Sequence, residues 1–527
     1  MSASKSDGYH TIVSIDFGTT STKCAVAVFQ PGGADPEIDV LKWSHEGKSH
    51  AMLPSVVSYD EHHTDEFISY GFNAKDDLDR ARRGRVVYGM FKNQFPGRPV
   101  QPLHGSKGDK DADGKNADEL FVALATKLHI DIKHFYENTL MDAKQAPKWE
   151  QASIEYAVSV PAAGAPANVA ERLRQVLTKA GFDALPHHGI SKQLVTESEA
   201  AAIFSLHTEK NAFKNDQTTI VMDAGGGTSD LCVLRVVDKE TGEVSLQFAD
   251  PVAGAQIGPA WVHMYLEQRL VQFLSQSYPQ DHAEATARSI VADPRVEERK
   301  VDIGSGKAPS GPLEFRVSNR PLETNSKAPG PTLSPVGGLS KVPYSKSRNI
   351  DIVRIENRLI QGLFDDEILG VTRDGQKCLK RQLDMMIEDA WISGRGPQGA
   401  AEAVSKSGLA PDHLCVDRIL LTGGFGSSPY VLKTLQDALF KERDLANKGY
   451  TGDGLMTDPS GGLGPVHTNI KNLQFVVSTE PRLCVCKGVL YHHIRTHMEA
   501  LRKPSSKSWF RYNWNKAKKF GQRVISN

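Results

Sequence analysis

Two short segments, each led by an aspartate, contain the residue types that bind phosphate. The first segment spans Ile15–Lys23 and the second spans Met222–Asp230. Their glycines let backbone N–H groups approach an anion closely, and their Thr and Ser hydroxyls add small hydrogen-bond donors. Asp16 and Asp223 could each hold a magnesium ion that bridges phosphates, directly or through water. Two such segments facing each other would form a phosphate clamp.

Apolar runs typical of β-strands flank both segments. Residues 11–15 and 219–222 precede the aspartates, and residues 24–29 and 231–237 follow the turns. This pattern predicts two β-hairpins whose tight turns contain the glycines and hydroxyl residues. One such turn is usually no more than a tight turn. Finding the pattern twice, in matching contexts, favours phosphate binding.

A third glycine-rich turn follows an apolar run late in the chain. Residues 418–422 predict a buried strand, and residues 430–440 predict a helix. A turn of bare backbone between such elements lets a flat group lie close to the chain and near the N–H groups of the helix. We therefore predict that this turn binds a nucleoside. Its residues are Gly423, Gly424, Gly426 and Ser427.

The composition is that of a water-soluble protein with more than one domain. The chain has 527 residues, with 63 basic and 63 acidic side chains, so its charge gives no reason to expect nucleic acid as a partner. The few cysteines in apolar runs are typical of reduced thiols in the cytosol. Residues 1–10 resemble no secretory signal, and no run is long enough to span a bilayer. We expect a cytoplasmic location and leave open the nucleus as an additional one.

Strand-like runs alternate with helical patterns along most of the chain, which predicts an α/β fold. Residues 118–140 have apolar side chains at helical spacing and predict a long amphipathic helix. Residues 303–348 interrupt the pattern because they are rich in Pro, Gly, Ser and Lys around one strand-like piece at 313–317. We expect a partly flexible insertion there.

Five motifs resemble, in order, those of the actin-like ATPase domain of the 70-kDa heat-shock proteins, the DnaK-like chaperones. The motifs are Asp16–Thr20, Val195–Ile203, Asp223–Asp230, Leu421–Ser427 and Glu480–Val489. The resemblance implies an actin-like ATPase fold, in which two lobes each contain a central mixed β-sheet flanked by helices. It also implies that ATP or ADP binds with Mg²⁺ in the cleft between the lobes.

The same resemblance implies roles for individual side chains. Lys92 would contact the γ-phosphate region, and Glu197 would order the attacking water. Asp16 and Asp223 would organise the magnesium ion, with Asp230 in the metal shell. Phosphoryl transfer needs mainly positioning and charge neutralisation, so this set is chemically sufficient. The residues implied in nucleotide binding are Gly18, Thr19, Thr20, Ser21, Gly225, Gly226, Gly227, Thr228, Glu298, Lys300, Gly423, Gly424, Gly426 and Ser427. Of these, Glu298 and Lys300 are the candidates for the adenine pocket.

The resemblance divides the chain into lobe I (1–215), lobe II (216–478), a connecting helix (479–497) and a tail (498–527). The tail is basic and aromatic, so it could contact an anionic membrane or a partner, although a packed or unpaired terminus is favoured. The peptide-binding domain of the family has no counterpart in these residues. The expected protein partners are a client or an exchange factor.

Three functions fit the motifs. The first is a slow ATPase that acts as a chaperone-like nucleotide switch on a partner. The second is a sugar-type kinase of the same superfamily, because the first turn alone suits both classes. The third is a pseudo-ATPase that binds nucleotide without turnover. The triple glycine with Asp230 and the segment after Glu197 favour the chaperone-like branch, and the retained Lys92 and Glu197 favour hydrolysis.

Overall fold

The computed structural model describes most of the chain. The described residues are 8–32, 35–63, 65–80, 82–103, 114–161, 168–209, 217–238, 244–307, 311–318, 337–345, 350–370, 378–393, 415–447, 456–457, 463–464, 470 and 472–501. The predicted tail lies outside this part beyond Leu501. Within the described residues, no helix has the length and apolar character needed to cross a bilayer.

The first half of the chain contains fourteen strands and five α-helices among its described residues. The strands are β1 (His10–Phe17), β2 (Ser21–Phe29), β3 (Ile38–Val40), β4 (Trp43–His45), β5 (Lys48–His50), β6 (Leu53–Pro54), β7 (Val56–Asp60), β8 (Phe67–Tyr70), β9 (Arg85–Gly89), β10 (Pro99–Val100), β11 (Lys115–Asn116), β12 (Ile154–Val160), β13 (His188–Ile190) and β14 (Val195–Thr196). The helices are α1 (Gly71–Asp79), α2 (Ala117–Phe135), α3 (Met141–Ala143), α4 (Val169–Lys179) and α5 (Glu197–Thr208).

The second half continues with ten further strands and eight helices in the described ranges. The strands are β15 (Thr218–Ala224), β16 (Ser229–Asp238), β17 (Val244–Ala255), β18 (Leu313–Ser318), β19 (Leu339–Ser345), β20 (Ile350–Ile355), β21 (Val416–Thr422), β22 (Met456–Thr457), β23 (Leu463–Gly464) and β24 (Gln474–Val477). The helices are α6 (Pro259–Leu274), α7 (Gln280–Val291), α8 (Pro294–Gly304), α9 (Asn357–Ile368), α10 (Leu379–Ser393), α11 (Gly423–Gly426), α12 (Pro429–Asn447) and α13 (Cys484–Leu501).

The central sheet of the first half is built around β1. It has the strand order β13–β12–β1–β2–β3, with β1 antiparallel to β2 and parallel to β12. Every residue of β1 after His10 is buried, as expected for a strand covered on both faces of its sheet. The helix predicted over 118–140 is α2, which continues into a π-helical turn at Tyr136–Leu140.

The central sheet of the second half repeats this pattern. Its order is β17–β16–β15–β21–β24, with β15 antiparallel to β16 and parallel to β21. In both halves, therefore, a strand that ends in one of the aspartate-led turns lies between its hairpin partner and a parallel strand. Two mixed sheets of this topology, flanked by helices, form the actin-like ATPase fold, and the predicted fold class is confirmed.

Helices α5 and α13 lie between the two sheets. They share one buried cluster with residues of both sheets, including Ala157 of β12 and Val221 of β15. A Cβ atom added to Gly488 would lie 1.8 Å from the carbonyl oxygen of Ala200. The two helices therefore cross with their backbones almost in contact, which only small side chains allow.

A small antiparallel sheet, β18–β20–β19, corrects part of the sequence prediction for residues 303–348. That range was expected to hold one strand-like piece, but it contributes both β18 and β19. In β18 buried and exposed residues alternate, which is the pattern of a strand with one face on a core. The other residues of the range include segments that lie outside the described residues.

Candidate functional site

The two aspartate-led segments form the predicted hairpins. Asp16 lies directly opposite Lys23 in the β1–β2 ladder, and Asp223 lies opposite Asp230 in the β15–β16 ladder. Each hairpin turn is therefore carried at the end of a buried strand of a central sheet. Asp16 and Asp223 are both buried.

The two turns contact each other across the space between the sheets. A Cβ atom on Gly226 would lie 2.1 Å from Oγ1 of Thr20, and one on Gly227 would lie 2.6 Å from Cγ2 of Thr19. Any side chain at either glycine would therefore push the turns apart. This close approach is a packing reason for glycine that is separate from the approach of an anion.

Side chains hold the first turn in place. Ser55 donates a hydrogen bond from Oγ to the carbonyl oxygen of Gly18 at 2.8 Å, and its Oγ is also 2.9 Å from Oγ1 of Thr22. Thr19 donates from Oγ1 to Oδ1 of Asn93 at 3.3 Å. The shape of this turn therefore depends on hydroxyl groups contributed by neighbouring strands and turns.

Backbone groups and one indole hold the second turn. The amide of Gly225 donates to the carbonyl of Thr228 at 2.8 Å, and the amide of Ala260 donates to the carbonyl of Gly226 at 2.9 Å. Trp261 of α6 donates from Nε1 to the carbonyl of Gly227 at 2.8 Å. The N-terminal turn of α6 therefore supports this hairpin.

A cavity of about 270 Å³ lies between the turns and is lined by both halves of the molecule. Thirteen of the predicted site residues line it: Asp16, Gly18, Thr19, Thr20, Ser21, Lys92, Glu197, Asp223, Gly225, Gly226, Thr228, Gly423 and Gly424. Residues separated by some four hundred positions in the chain thus line one cavity.

Lys92 and Glu197 form a buried ion pair in this cavity. The Nζ atom of Lys92 donates to Oε1 of Glu197, and both side chains are less than a tenth exposed. Burial raises the pKa of Glu197 to about 7, because desolvation and the nearby Asp230 and Asp16 outweigh the attraction of Lys92. Glu197 is the first residue of α5, at the positive end of its dipole.

Asp223 lies on the opposite wall with a different environment. Burial raises its pKa well above the usual range, and the negative charges of Glu197, Asp16 and Asp230 add to the effect. No described residue donates a hydrogen bond to its carboxylate. A buried carboxylate among other carboxylates is a chemically suitable ligand for a hard divalent cation such as Mg²⁺.

The three carboxylates predicted to hold magnesium do not converge on one point. Asp16 is paired with Lys23, and Asp230 is buried but does not line the cavity. Among the described residues, a convergent set of possible metal ligands occurs at His45, Glu46 and Asp76, which are not part of the cavity. A magnesium ion at Asp16 or Asp223 would therefore need further oxygen ligands beyond these carboxylates.

The third glycine-rich turn closes one end of the cavity. Gly423 has φ +78°, and a Cβ atom there would lie 2.3 Å from the carbonyl oxygen of Ala224. Gly426 packs on Ala224, while the hydroxyl of Ser427 donates to the carbonyl of Gly424 at 3.4 Å. Gly423 and Gly424 thus line the cavity, whereas Gly426 and Ser427 belong to the turn but do not line it.

The residues predicted for the adenine pocket do not line the cavity. Glu298 is exposed on α8, and Lys300 is buried with its Nζ donating to Glu297 at 2.8 Å. Gly227 and Asp230 likewise lie outside the cavity lining. Glu298 and Lys300 therefore do not indicate where a base would bind.

Seven residues line the cavity although the sequence assigned them no site role, and five of them lie within the segments named above. The seven are Lys23, Met52, Pro259, Phe425, Pro481, Arg482 and Val485. Lys23 could have been found from the hairpin itself, because a symmetric pairing around the turn places it opposite Asp16. Arg482 could not, since the loop before α13 is held at the site by hydrogen bonds to the Pro481 carbonyl from the Gly423 amide (2.9 Å) and the Thr422 hydroxyl (3.2 Å).

No protein-family model matches the chain. Among solved structures, the chain is similar to MreB5 of Spiroplasma citri bound to ADP, with 13% identity, 94% of this chain and 99% of that chain covered, and a TM-score of 0.46. The AMPPNP-bound structure of the same protein gives 14% identity, 93% and 98% coverage, and a TM-score of 0.46. At this level the likeness supports no statement about function, and the strand order defines the fold.

Proposed function

We propose that the protein binds ATP and ADP in the cavity between the two sheets and hydrolyses ATP slowly. The observation that carries this proposal is the direct contact between the two phosphate-type turns, at Thr20 and Gly226, on opposite walls of one cavity. Backbone N–H groups and hydroxyls from both walls can then reach one phosphate chain. The bare turn at Gly423 and Gly424 is placed to receive the nucleoside.

The ion pair of Lys92 and Glu197 supplies the groups that hydrolysis needs. The Lys92 ammonium can neutralise charge that develops on the γ-phosphoryl group, and the Glu197 carboxylate can orient a water molecule and accept its proton. A carboxylate with a pKa of about 7 is suited to that proton transfer near neutral pH. Magnesium, held through Asp223 and phosphate oxygens, would add charge neutralisation.

The finer proposal is that nucleotide binding acts as a chaperone-like switch on a protein partner. Helices α5 and α13 cross between the sheets at Ala200 and Gly488, and α5 begins at the cavity residue Glu197. A change in the separation of the turns would therefore change how α5 packs against α13. The partner would be a client or an exchange factor.

The test is phosphate release from Mg·ATP without an added acceptor. Replacing Lys92→Ala should lower turnover by about 10²-fold, as for the loss of one transition-state charge contact. Lys144→Ala is a matched control because Lys144 also forms an ion pair, with Glu37 at 2.8 Å, but lies outside the cavity. Thermal unfolding of both variants checks that the fold survives.

Three outcomes separate the candidate functions. Equal turnover in the native protein and in Lys92→Ala would refute the catalytic proposal. Tight ATP binding with no phosphate release would identify a pseudo-ATPase. Acceleration of ATP consumption by a member of a sugar panel would identify a kinase.

A further inference from the structure

Lys23 lines the cavity and is paired with an aspartate of the first turn. It lies on β2 directly opposite Asp16 on β1. Its Nζ atom donates to Oδ2 of Asp16 at 2.9 Å, and the two side chains are only 14% and 6% exposed. The resemblance to the heat-shock proteins assigned no role to this lysine.

The ammonium group also lies against the backbone of the first turn. It is 3.1 Å from the position that a Cβ atom on Gly18 would occupy, and it lines the cavity together with Thr19 and Thr20. A phosphate held by the N–H groups and hydroxyls of this turn would come within reach of Nζ. A lysine ammonium in such a position is a strong donor to a phosphate oxygen.

The pair with Asp16 conflicts with a direct metal role for that aspartate. One oxygen of Asp16 accepts from Lys23, and the other is 3.5 Å from the donating hydroxyl of Ser159. A divalent cation and an ammonium group repel each other strongly at a buried carboxylate. If a metal ion approaches Asp16, Lys23 must therefore find another negative partner, and a phosphate chain brings one.

We propose that Lys23 is a phosphate-binding residue that exchanges Asp16 for a nucleotide phosphate when the metal–nucleotide complex enters the cavity. This proposal rests on the proposed function. It adds a second lysine to the phosphate site, on the same wall as Lys92. It also makes the charge of Asp16 available for magnesium only when nucleotide is bound.

The first experiment measures ADP and adenosine affinities by calorimetry with Mg²⁺ present. Lys23→Met should weaken ADP binding by about 10- to 100-fold, the range for a lost hydrogen bond between charged groups. Adenosine binding should stay within about twofold, because adenosine has no phosphate for the ammonium to contact. Lys23→Arg should retain most of the ADP affinity.

Lys487→Met is the matched control. Lys487 is similarly buried, at 16% exposure, and donates to Glu480 at 2.7 Å, but it does not line the cavity. Its replacement should leave both affinities unchanged. Unchanged ADP affinity in Lys23→Met would overturn the proposal, and so would an equal loss for adenosine.

A second experiment separates phosphate contact from simple neutralisation of Asp16. In EDTA, ADP binding is compared between Asp16→Asn and the double variant Asp16→Asn/Lys23→Met. If Lys23 contacts phosphate, its removal should still weaken ADP binding about tenfold when Asp16 no longer needs a partner. If Lys23 only neutralises Asp16, the two variants will bind ADP equally and the proposal fails. Failure of the native protein to bind ADP would instead refute the proposed function.

Discussion

The two hairpin turns are made of similar residues but are stabilised in different ways. On the wall formed by the first half, each cavity carboxylate has a lysine: Asp16 pairs with Lys23, and Glu197 pairs with Lys92. On the opposite wall, Asp223 accepts no hydrogen bond from any described residue, and its pKa is well above the usual range because it is buried among other carboxylates. Similar turn sequences therefore produce one wall whose cavity carboxylates are paired with lysines and one wall whose buried Asp223 carboxylate has no ion pair among the described residues.

The turns also differ in their anchors. Hydroxyl side chains, above all Ser55, fix the first turn, whereas the backbone of α6 and the indole of Trp261 fix the second. The first turn should consequently be sensitive to the loss of a side chain, and the second to the addition of one. Each prediction below tests one side of this difference.

The largest effect is expected at Gly258, which packs against the second turn. A Cβ atom there would lie 2.6 Å from the carbonyl oxygen of Gly226, which is backbone and cannot move aside cheaply. Gly258→Ala should weaken ADP binding by about 10- to 100-fold, given an overpacking cost of about 1–3 kcal/mol. Calorimetric titration and thermal unfolding measure the two consequences.

Gly189→Ala is the control, because Gly189 does not line the cavity. A Cβ atom on Gly189 would meet nothing within 4 Å, so the ADP affinity should not change. A native ADP affinity in Gly258→Ala would contradict the claim that close packing at the start of α6 holds the second turn.

A smaller effect is expected from Ser55→Ala, which tests the first turn. The change removes the donor to Gly18 and the hydrogen-bond partner of Thr22, and so leaves buried polar groups unsatisfied. Since each such group costs about 1–3 kcal/mol, we expect a lower unfolding temperature and an ADP affinity lower by about tenfold.

Ser58→Ala provides the contrast, because Ser58 is also buried but its hydroxyl has no hydrogen-bond partner among the described residues. Its replacement should be neutral or slightly stabilising. Equal losses in the two variants would show that general destabilisation, not the anchoring of Gly18, weakens nucleotide binding.

The smallest effect is expected from a change of pH, which acts on Glu197 in the wall formed by the first half. The ionised form of Glu197 is the one that can accept a proton from water, and its pKa is raised to about 7. Because raising the pH through this value increases the ionised fraction, ATP turnover should rise about threefold between about pH 6.5 and 7.5. Glu197→Gln should be slow at both pH values, and a native rate that falls with pH over this range would contradict the proposed role.

The parts of the fold that were predictable are those encoded by nearby residues. The two hairpins, the turn after β21 and the helix α5 all follow from local turn chemistry, apolar runs and small-residue content. Thr196 and Glu199 even form a capping box at the start of α5, a signal readable from the sequence alone.

The unpredicted parts depend on contacts between distant residues. The position of Arg482 is set by the Gly423–Pro481 hydrogen bond, which joins two elements nearly sixty residues apart. Lys300 was expected near adenine, but its charge is met by Glu297 one helical turn away. Which of several charged residues on a helix faces a site depends on packing that no local pattern contains.

The contact between Thr20 and Gly226 has a consequence for kinetics. A phosphate chain bound by both turns would lose its contacts with one wall when the turns separate, so this separation would accelerate the release of ATP and of ADP alike. A partner that increases the rate of separation would accelerate the release of both without contacting either one.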